Sequence, residues 1–384
     1  MSELFDPIFG MTAVAAATGD RAVLAALCQV EAALARACGR AGLVDAAIVP
    51  EIAAACDELA AADPAELGPG GAAGGNPVIP LVAALRDRVR QRAGQPAAAA
   101  VHLGATSQDI LDTALMLLSH RALGVVRTDL AGCAAAAAEL TRAHRTTPMA
   151  GRTLLQQAVP TTFGALAAVW GAGLDRSHAR LGAVRAALPA QLGGAAGTLA
   201  TLYPHGLRVA AAFADELGLA EPDGVWHTER TRIAELAAAL GQTAAATGKV
   251  ATDIVLLAQT EIGEVREAAP GGSSAMPHKQ NPIAAITARA AAAQAPGLVA
   301  TLLGNSAHEL QRAAGSWHAE WPALIALLRA AGGAASRLHA SLTGLHIDTE
   351  AMHRNLGQPG AADGSGGTGH ATDLVDRYLE RRSR

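Results

Sequence analysis

Residues 271–282 read Gly271-Gly272-Ser273-Ser274-Ala275-Met276-Pro277-His278-Lys279-Gln280-Asn281-Pro282 and join two long helical tracts of the sequence. Almost all of them either break helices or carry reactive side chains. The two glycines free the backbone and leave consecutive N–H groups that can converge on an anion, while the two prolines stiffen the far end. The stretch therefore predicts a mobile catalytic loop, and a solvated loop between helices is the alternative that composition alone leaves open.

The tracts around this loop predict an all-α protein. Of the 384 residues 51% are hydrophobic but only 3% are aromatic, and much of the apolar content is alanine, the strongest helix former with a small side chain. Five proline-poor tracts exceed the usual helix length, and one of them, residues 229–267, runs for about forty residues. We expect the others after residue 106, from Pro160 to about Leu188, around a kink at Pro296, and from Pro322 to near Gly344. Such tracts indicate an elongated helical bundle whose apolar faces are buried between subunits.

The chain divides into three predicted domains. Residues 1–98 form an N-terminal helical domain, with a first helix capped by Asp20, a second from Pro50 to Ala62, a Pro- and Gly-rich break over 63–77 and a third helix over 79–92. Residues 99–345 hold the long-helix bundle. Residues 346–384 form a short C-terminal part, in which a Gly/Ser/Pro-rich linker at 357–369 precedes one helix at 372–381.

Composition also excludes several classes of function. A formal charge of −4 offers no basic surface for nucleic acid. The four cysteines lack C-x-x-C spacing, no histidine belongs to an H-x-x-x-H pair with a neighbouring acid, and no Gly-rich nucleotide loop follows a strand pattern, so we expect neither a metal nor an organic cofactor. We find neither a secretory leader nor an uncharged apolar run of the ~20 residues that span a bilayer. The sequence predicts a cytoplasmic protein with no membrane partner.

Two further polar stretches stand beside long helical tracts. His102, Thr106, Ser107, Gln108 and Asp109 precede the longest tract, where Thr106 and Ser107 are natural N-caps and a helix N-terminus can bind a carboxylate. Residues 147–160 form the other stretch and contain Gly151-Arg152-Thr153-Leu154-Leu155-Gln156-Gln157. We expect this stretch to be a loop that opens a helix, with Pro160 in the first helical turn.

The loop at 271–282 resembles the signature loop of the fumarase/aspartase superfamily, G-S-S-x-M-P-x-K-x-N, which is matched at every fixed position. The resemblance implies that Ser273 is the base that removes a proton next to a carboxylate, and that Lys279 and Asn281 hold the resulting carbanion. A serine hydroxyl becomes a base only where N–H dipoles and a cation stabilise its alkoxide. His278 is the rival base, because the pKa of an imidazole suits neutral pH better.

The resemblance covers residues 3 to about 356 and implies that three separate segments, at 102–109, 151–160 and 271–282, build each active site from different subunits of a homotetramer. The substrate would be a small polycarboxylate. Its binding residues would be His102, Thr106, Ser107, Gln108, Arg152, Thr153, Gln157, Ser274, Met276 and His278.

Four stretches, at 75–80, 102–113, 226–228 and above all Trp317-His318-Ala319-Glu320-Trp321, narrow the resemblance to bacterial 3-carboxy-cis,cis-muconate cycloisomerases. The last is a marker of kinship, and aromatic packing at a helix start would explain it. This branch implies aromatic compound catabolism and addition of the substrate's own carboxylate to a double bond. Leu154 stands where amine-releasing superfamily lyases carry a histidine that acts as general acid, and leucine cannot donate a proton.

Three alternatives stay open. One is a lyase that expels another stable anion, such as nitrosuccinate lyase. Another is an adenylosuccinate-type lyase, which Leu154 disfavours. The third is a helical scaffold without activity, which the short C-terminal part suggests and the polar types at Ser273, Lys279 and Asn281 oppose. Gln280, where relatives commonly carry arginine, weakens the positive field of the loop.

Overall fold

The computed structural model describes residues 2–276, 278–357 and 367–383 and is almost entirely helical. The N-terminal helices are α1 Thr12–Thr18, α2 Asp20–Arg40, α3 Val49–Ala60, α4 Gly68–Gly74 and α5 Val78–Ala99. The central elements are α6 Ser107–Ala143, β1 Pro148–Thr153, β2 Gln156–Thr162, α7 Phe163–Ala186, α8 Gly206–Leu217, α9 Thr231–Leu257, β3 Val265–Arg266, α10 Ile283–Ala292, α11 Ala295–Gly304 and α12 Ser316–Leu342. The chain continues through β4 His346–Ile347, α13 Thr349–Leu356 and α14 Ala371–Ser383. The predicted all-α class is confirmed, because the strands within these described ranges form only two small two-stranded sheets.

The long helices pack side by side around a core rich in alanine and leucine. Helix α6 packs against α7 and α12, and α9 packs against α10, α12 and α7. Small residues allow these close approaches: a Cβ on Gly164 would lie 2.7 Å from the carbonyl oxygen of His144, so α7 begins hard against the end of α6. A polar contact also joins α7 to α9, since Trp170 Nε1 donates to Asp253 at 2.7 Å and Asp253 pairs with Lys249.

Several predicted helix boundaries are wrong. Gly19, not Asp20, is the N-cap of α2, and the Pro- and Gly-rich break at 63–77 contains the short helix α4. The tract 229–267 is helical only over the 27 residues of α9. The tract around Pro296 separates into α10 and α11, with Pro296 in the first turn of α11. The last long helix begins at Ser316, so Pro322 lies inside it.

The stretch 147–160 is a β-hairpin rather than a loop that opens a helix. Strands β1 and β2 pair antiparallel with Thr153 opposite Gln156, so Leu154 and Leu155 form a two-residue turn. Pro160 lies in β2 opposite Ala150, and α7 begins three residues later. The prediction failed because a proline shortly before a helical tract suits either the first helical turn or a strand edge.

The C-terminal helix α14 packs on α7, with a tyrosine of α14 lying against a glycine of α7. A Cβ on Gly171 would lie 2.0 Å from the hydroxyl of Tyr378, so a larger residue at 171 would displace this tyrosine. Tyr378 donates to Asp175 at 3.0 Å, and Arg145 Nε donates to Asp376 at 2.6 Å. Of the predicted linker at 357–369, residues 358–366 lie outside the described residues.

The four cysteines are buried and unbonded, as their spacing predicts. Burial raises the pKa of Cys28 to about 12 and that of Cys38 to about 11, so both are inert thiols at neutral pH. Two helical stretches, Asp20–Arg40 and Ile283–Gly304, are long and apolar enough to cross a membrane by composition alone. They are weak candidates, because the core helix of a soluble protein passes the same test, and Asp20–Arg40 is mostly buried within the protein.

Candidate active site

The loop at 271–282 is closed at its neck by its own backbone. Gly271 and Asn281 exchange two N–H···O hydrogen bonds of 2.9 Å each, and the side-chain amide of Asn281 donates to the carbonyls of Gly271 and Gly272 at 3.3 and 3.4 Å. A Cβ on Gly271 would lie 2.1 Å from the side chain of Ile283, so glycine is required there. A cleft of about 220 Å³ opens beside the neck and is lined in part by Gln280 and Asn281.

Within the loop, Ser273 is the side chain best placed to carry negative charge. Its Oγ accepts hydrogen bonds from the backbone amides of Ala275 and Met276, at 3.3 and 3.2 Å, and it is half-buried. Converging N–H dipoles of this kind stabilise an alkoxide. Ser274, Met276, His278 and Lys279 are exposed around it. In this conformation the side chain of Asn281 is hydrogen-bonded to the neck of the loop.

The stretch 102–109 is held by buried carboxylates. His102 has a positive φ of 63°, and its Nδ1 lies 2.6 Å from Oε1 of the buried Glu31. Thr106 is the N-cap of α6 and Ser107 its first residue, and Oδ2 of Asp109 accepts the Thr106 amide at 2.9 Å. The predicted capping position is confirmed, and residues 102–107 are partly buried while Gln108 and Asp109 are buried.

Asp109 and Gln108 face the protein interior rather than a ligand. Asp109 is fully buried and also accepts the amides of Gly193 and Gly194, both at 2.9 Å, and Nε2 of His227 at 2.7 Å. Gln108 donates to Asp112 at 3.1 Å and to the carbonyl of His227 at 2.8 Å. Asp109 therefore fixes the first turn of α6 to two other loops. Substrate binding by Gln108 stays a prediction.

A buried charge network lies one turn further along α6. Arg230 pairs with Asp112 at 2.8 Å and with Glu320, and Trp317 Nε1 donates to Asp112 at 2.9 Å. Burial lowers the pKa of Arg230, but the two carboxylates outweigh this effect and raise it. Burial raises the pKa of Glu320. The stretch 317–321 thus combines the edge-on packing of Trp317 and Trp321 with this charge network. The aromatic packing is anticipated in the sequence, but the network is not.

The hairpin at 148–162 is anchored close to its turn and presents an apolar tip. Arg152 donates to both oxygens of the fully buried Glu264, at 2.9 and 2.6 Å. Gln157 donates to the carbonyl of Asn355 at 2.8 Å, and Thr153 is exposed. Leu154 and Leu155 at the turn are 97% and 69% exposed and have φ values of 53° and 63°. The guanidinium of Arg152 is already paired, so its predicted contact with substrate stays a prediction.

Among the residues that the structure describes, the three candidate segments, 102–109, 151–160 and 271–282, do not contact one another directly through hydrogen bonds or ion pairs. Each has its own partners, among them Glu31, Glu264 and Glu267. The side-chain and backbone groups that hold them come from residues far apart in sequence. A site assembled from several chains stays a prediction. No cluster of three or more metal-ligating side chains occurs in the described ranges.

Known proteins that resemble this chain include lyases and cycloisomerases. A protein-family model described as Lyase matches residues 11–297. A nitrosuccinate lyase of Streptomyces davaonensis is 47% identical over 92% of this chain and 77% of its own. A 3-carboxy-cis,cis-muconate cycloisomerase of Pseudomonas aeruginosa is 46% identical over 93% of this chain and 78% of its own. The crystal structure of a 3-carboxy-cis,cis-muconate lactonizing enzyme from Pseudomonas putida superposes with a TM-score of 0.87 at 37% identity and covers 100% of this chain and 89% of that one.

Proposed function

The chain belongs to the lyase family, as an enzyme of the fumarase/aspartase superfamily, and from this premise we propose that it is a 3-carboxy-cis,cis-muconate cycloisomerase. In this reaction a carboxylate oxygen of the substrate forms a C–O bond to one carbon of a double bond. The electron pair moves to the neighbouring carbon, next to another carboxylate, and that carbon then takes a proton. The product is a lactone, and apart from this one proton no co-reactant is consumed.

The observation that carries this proposal is the hairpin turn. Leu154 occupies the position at which superfamily lyases that release an amine have an acid, and its apolar side chain is 97% exposed at the tip. An amine must be protonated to leave easily, whereas a carboxylate is a stable anion near neutral pH. A site without a proton donor at this turn therefore suits the making and breaking of a bond to an anion.

The geometry of the loop supports Ser273 as the group that moves the proton. Its Oγ is the acceptor for two backbone amides, and exposed Lys279 follows in the same loop. The carbanion places a second negative charge beside the substrate carboxylate, so a cation aimed there stabilises the transition state more than the ground state. In the proposed reaction the hydroxyl of Ser273 delivers the proton to carbon, and the ammonium of Lys279 stabilises the negative charge of the carbanion.

A second candidate is a lyase that expels nitrite from nitrosuccinate. It is favoured by the relative from Streptomyces davaonensis, whose identity to this chain is 47%. Nitrite is also a stable anion, so Leu154 is equally compatible with this reaction. In both candidates the exchanged proton is the one next to a carboxylate.

Ultraviolet absorbance with three substrates separates the candidates. We expect the purified protein to consume 3-carboxy-cis,cis-muconate, and to do so faster than it releases fumarate from nitrosuccinate or from adenylosuccinate. Faster turnover of nitrosuccinate would assign the second candidate. Turnover of adenylosuccinate alone would overturn the role given to Leu154, and an assembled protein inert toward all three would favour a scaffold. Ser273→Ala is the control for activity from a contaminating enzyme.

A further inference from the structure

Two buried carboxylates, Glu264 and Glu267, stand three residues apart on either side of strand β3. Glu264 is fully buried and Glu267 is 3% exposed. The strand between them, Val265–Arg266, pairs with His346–Ile347 and is thereby fixed to the end of the bundle. A buried carboxylate is costly unless it is fully hydrogen-bonded, so the partners of each one show what it holds.

Glu264 holds the hairpin. Its Oε1 and Oε2 accept hydrogen bonds from Nη2 and Nη1 of the Arg152 guanidinium at 2.6 and 2.9 Å, and Oε1 also accepts one from Nδ2 of Asn355 at 2.8 Å. A bidentate arginine–carboxylate pair fixes direction as well as distance. Arg152 lies two residues before the Leu154–Leu155 turn, so Glu264 sets where the hairpin tip points.

Glu267 holds the loop at 271–282. Its two carboxylate oxygens accept the backbone amides of Ala284 and Ala285, at 3.1 and 2.8 Å, in the first turn of α10. These amides have no partner within their own helix. Glu267 precedes the loop and α10 follows it, so this carboxylate ties both ends of the loop together, just outside the hydrogen bonds between Gly271 and Asn281.

We propose that Glu264 and Glu267 are positioning residues for the reaction given above, one for the hairpin and the other for the Ser273 loop. Neither touches the reacting atoms. Because Glu264 and Glu267 flank one short strand, the two segments that carry Leu154 and Ser273 are fixed to the same part of each chain. The kinetic test of this inference rests on the proposed function, because it needs a substrate.

The loop can be followed without any substrate. The sequence contains only two lysines, Lys249 within helix α9 and Lys279 within the loop. A lysine-specific endoprotease that cuts after Lys279 gives fragments distinct from those of a cut after Lys249. The rate of the first cut therefore reports how often the loop opens at its neck.

The experiment compares Glu267→Ala, Glu267→Gln and Glu264→Gln with a control, Glu216→Gln. Glu216 lies on α8, which packs against α2, and pairs with Arg36 and Arg40 at 2.6 and 2.8 Å. For Glu267→Ala we expect cleavage after Lys279 to be at least several-fold faster. We also expect kcat to fall at least about 10-fold with KM within a few-fold, since a misplacement of about 1 Å can cost about 10²-fold. Glu267→Gln keeps one acceptor oxygen and should lie between Glu267→Ala and the wild type.

Glu264→Gln should give a different signature, with lower kcat/KM but unchanged cleavage after Lys279. The inference is overturned if Glu267→Ala, or Glu267→Gln should the alanine variant fail to fold, leaves loop cleavage unchanged. It is also overturned if Glu216→Gln accelerates that cleavage equally, because then only global stability matters. If the wild type turns over none of the three substrates, the proposed function fails, while the cleavage rates still decide the role of Glu267.

Discussion

Ser273 differs from its neighbours in the loop because its side-chain oxygen has defined hydrogen-bond donors. Two backbone amides point at Oγ, and both follow it in the chain, so the loop itself builds the environment of this hydroxyl. The order of residue types in the loop could be read from the sequence. The convergence of the amides could not, because it depends on the backbone turn that follows Ser273.

The first prediction concerns the base. Ser273→Ala should lower kcat by at least ~10²-fold, the lower end for loss of a general base, and should change KM only a few-fold. Ser274→Ala and His278→Ala should cost less, since both side chains are exposed. Steady-state kinetics on the best of the three substrates checks this. A larger loss for His278→Ala than for Ser273→Ala would move the base to the imidazole.

The second prediction concerns the turn of the hairpin. Both Leu154 and Leu155 have positive φ, where a side chain with a Cβ is strained, whereas Asn-Gly fits such two-residue turns. Leu154→Asn combined with Leu155→Gly should raise the free energy of unfolding by about 1–3 kcal/mol. Urea unfolding measures the change, and Leu154→Ala, which keeps the positive φ on a residue with a Cβ, is the control. A double variant no more stable than the wild type would mean that the turn carries no strain.

At the scale of elements, the long helices could be predicted and the hairpin could not. Alanine content and spacing of leucine specify helices locally, and the N-cap at Thr106 follows from short-range chemistry. The hairpin depends on an irregular register between Ala150 and Arg152, where a Cβ on Gly151 would lie 2.6 Å from the carbonyl oxygen of Val159. A single glycine in a polar stretch gives no sign of such a partner eight residues away.

The third prediction concerns the network that joins α6 to α12 through Arg230. Glu320 shares this guanidinium with Asp112, and burial raises the pKa of Glu320 more than Arg230 lowers it. A carboxyl group whose pKa is higher in the folded than in the unfolded protein stabilises the fold while it is protonated. This contribution is complete below the pKa of the unfolded protein, about 4.3, and is lost as the pH rises through the pKa of the folded protein. Glu320→Gln has no charge to lose. Its free energy of unfolding, relative to the wild type, should therefore increase from about pH 4 to about pH 7.

Urea unfolding of both proteins at several pH values checks this. Glu216→Gln serves as the control, because Glu216 is paired but lies nearer the surface. A relative stability of Glu320→Gln that decreases as the pH rises would show that pairing with Arg230 outweighs burial.

At the scale of the whole molecule, the chain keeps apolar surface exposed on several bundle helices. Val169 on α7, Ile286 on α10 and Leu303 on α11 are 61%, 39% and 50% exposed, and the three candidate segments have separate partners within the chain. Contacts over long sequence separations, such as Arg152 with Glu264, could not be read from the sequence, since no local pattern specifies them. The same holds for the partners of Asp109.

The fourth prediction is a homotetramer that buries these helices. Sedimentation velocity should give a species of four chains, and Val169→Glu should shift it toward smaller species and lower activity, because a buried charge without a partner is costly. Exposed Leu207, on α8, offers the control variant Leu207→Glu. A stable and active wild-type monomer would contradict the prediction.

The scarcity of lysine gives the molecule a natural site for chemical labelling. Lys249 is paired with Asp253, whereas Lys279 is exposed in the loop that carries Ser273. An amine-reactive dye used in small amounts should therefore mark Lys279 in preference to Lys249, without any engineered cysteine. Its fluorescence would report the movement of the unliganded loop in real time, in the native sequence.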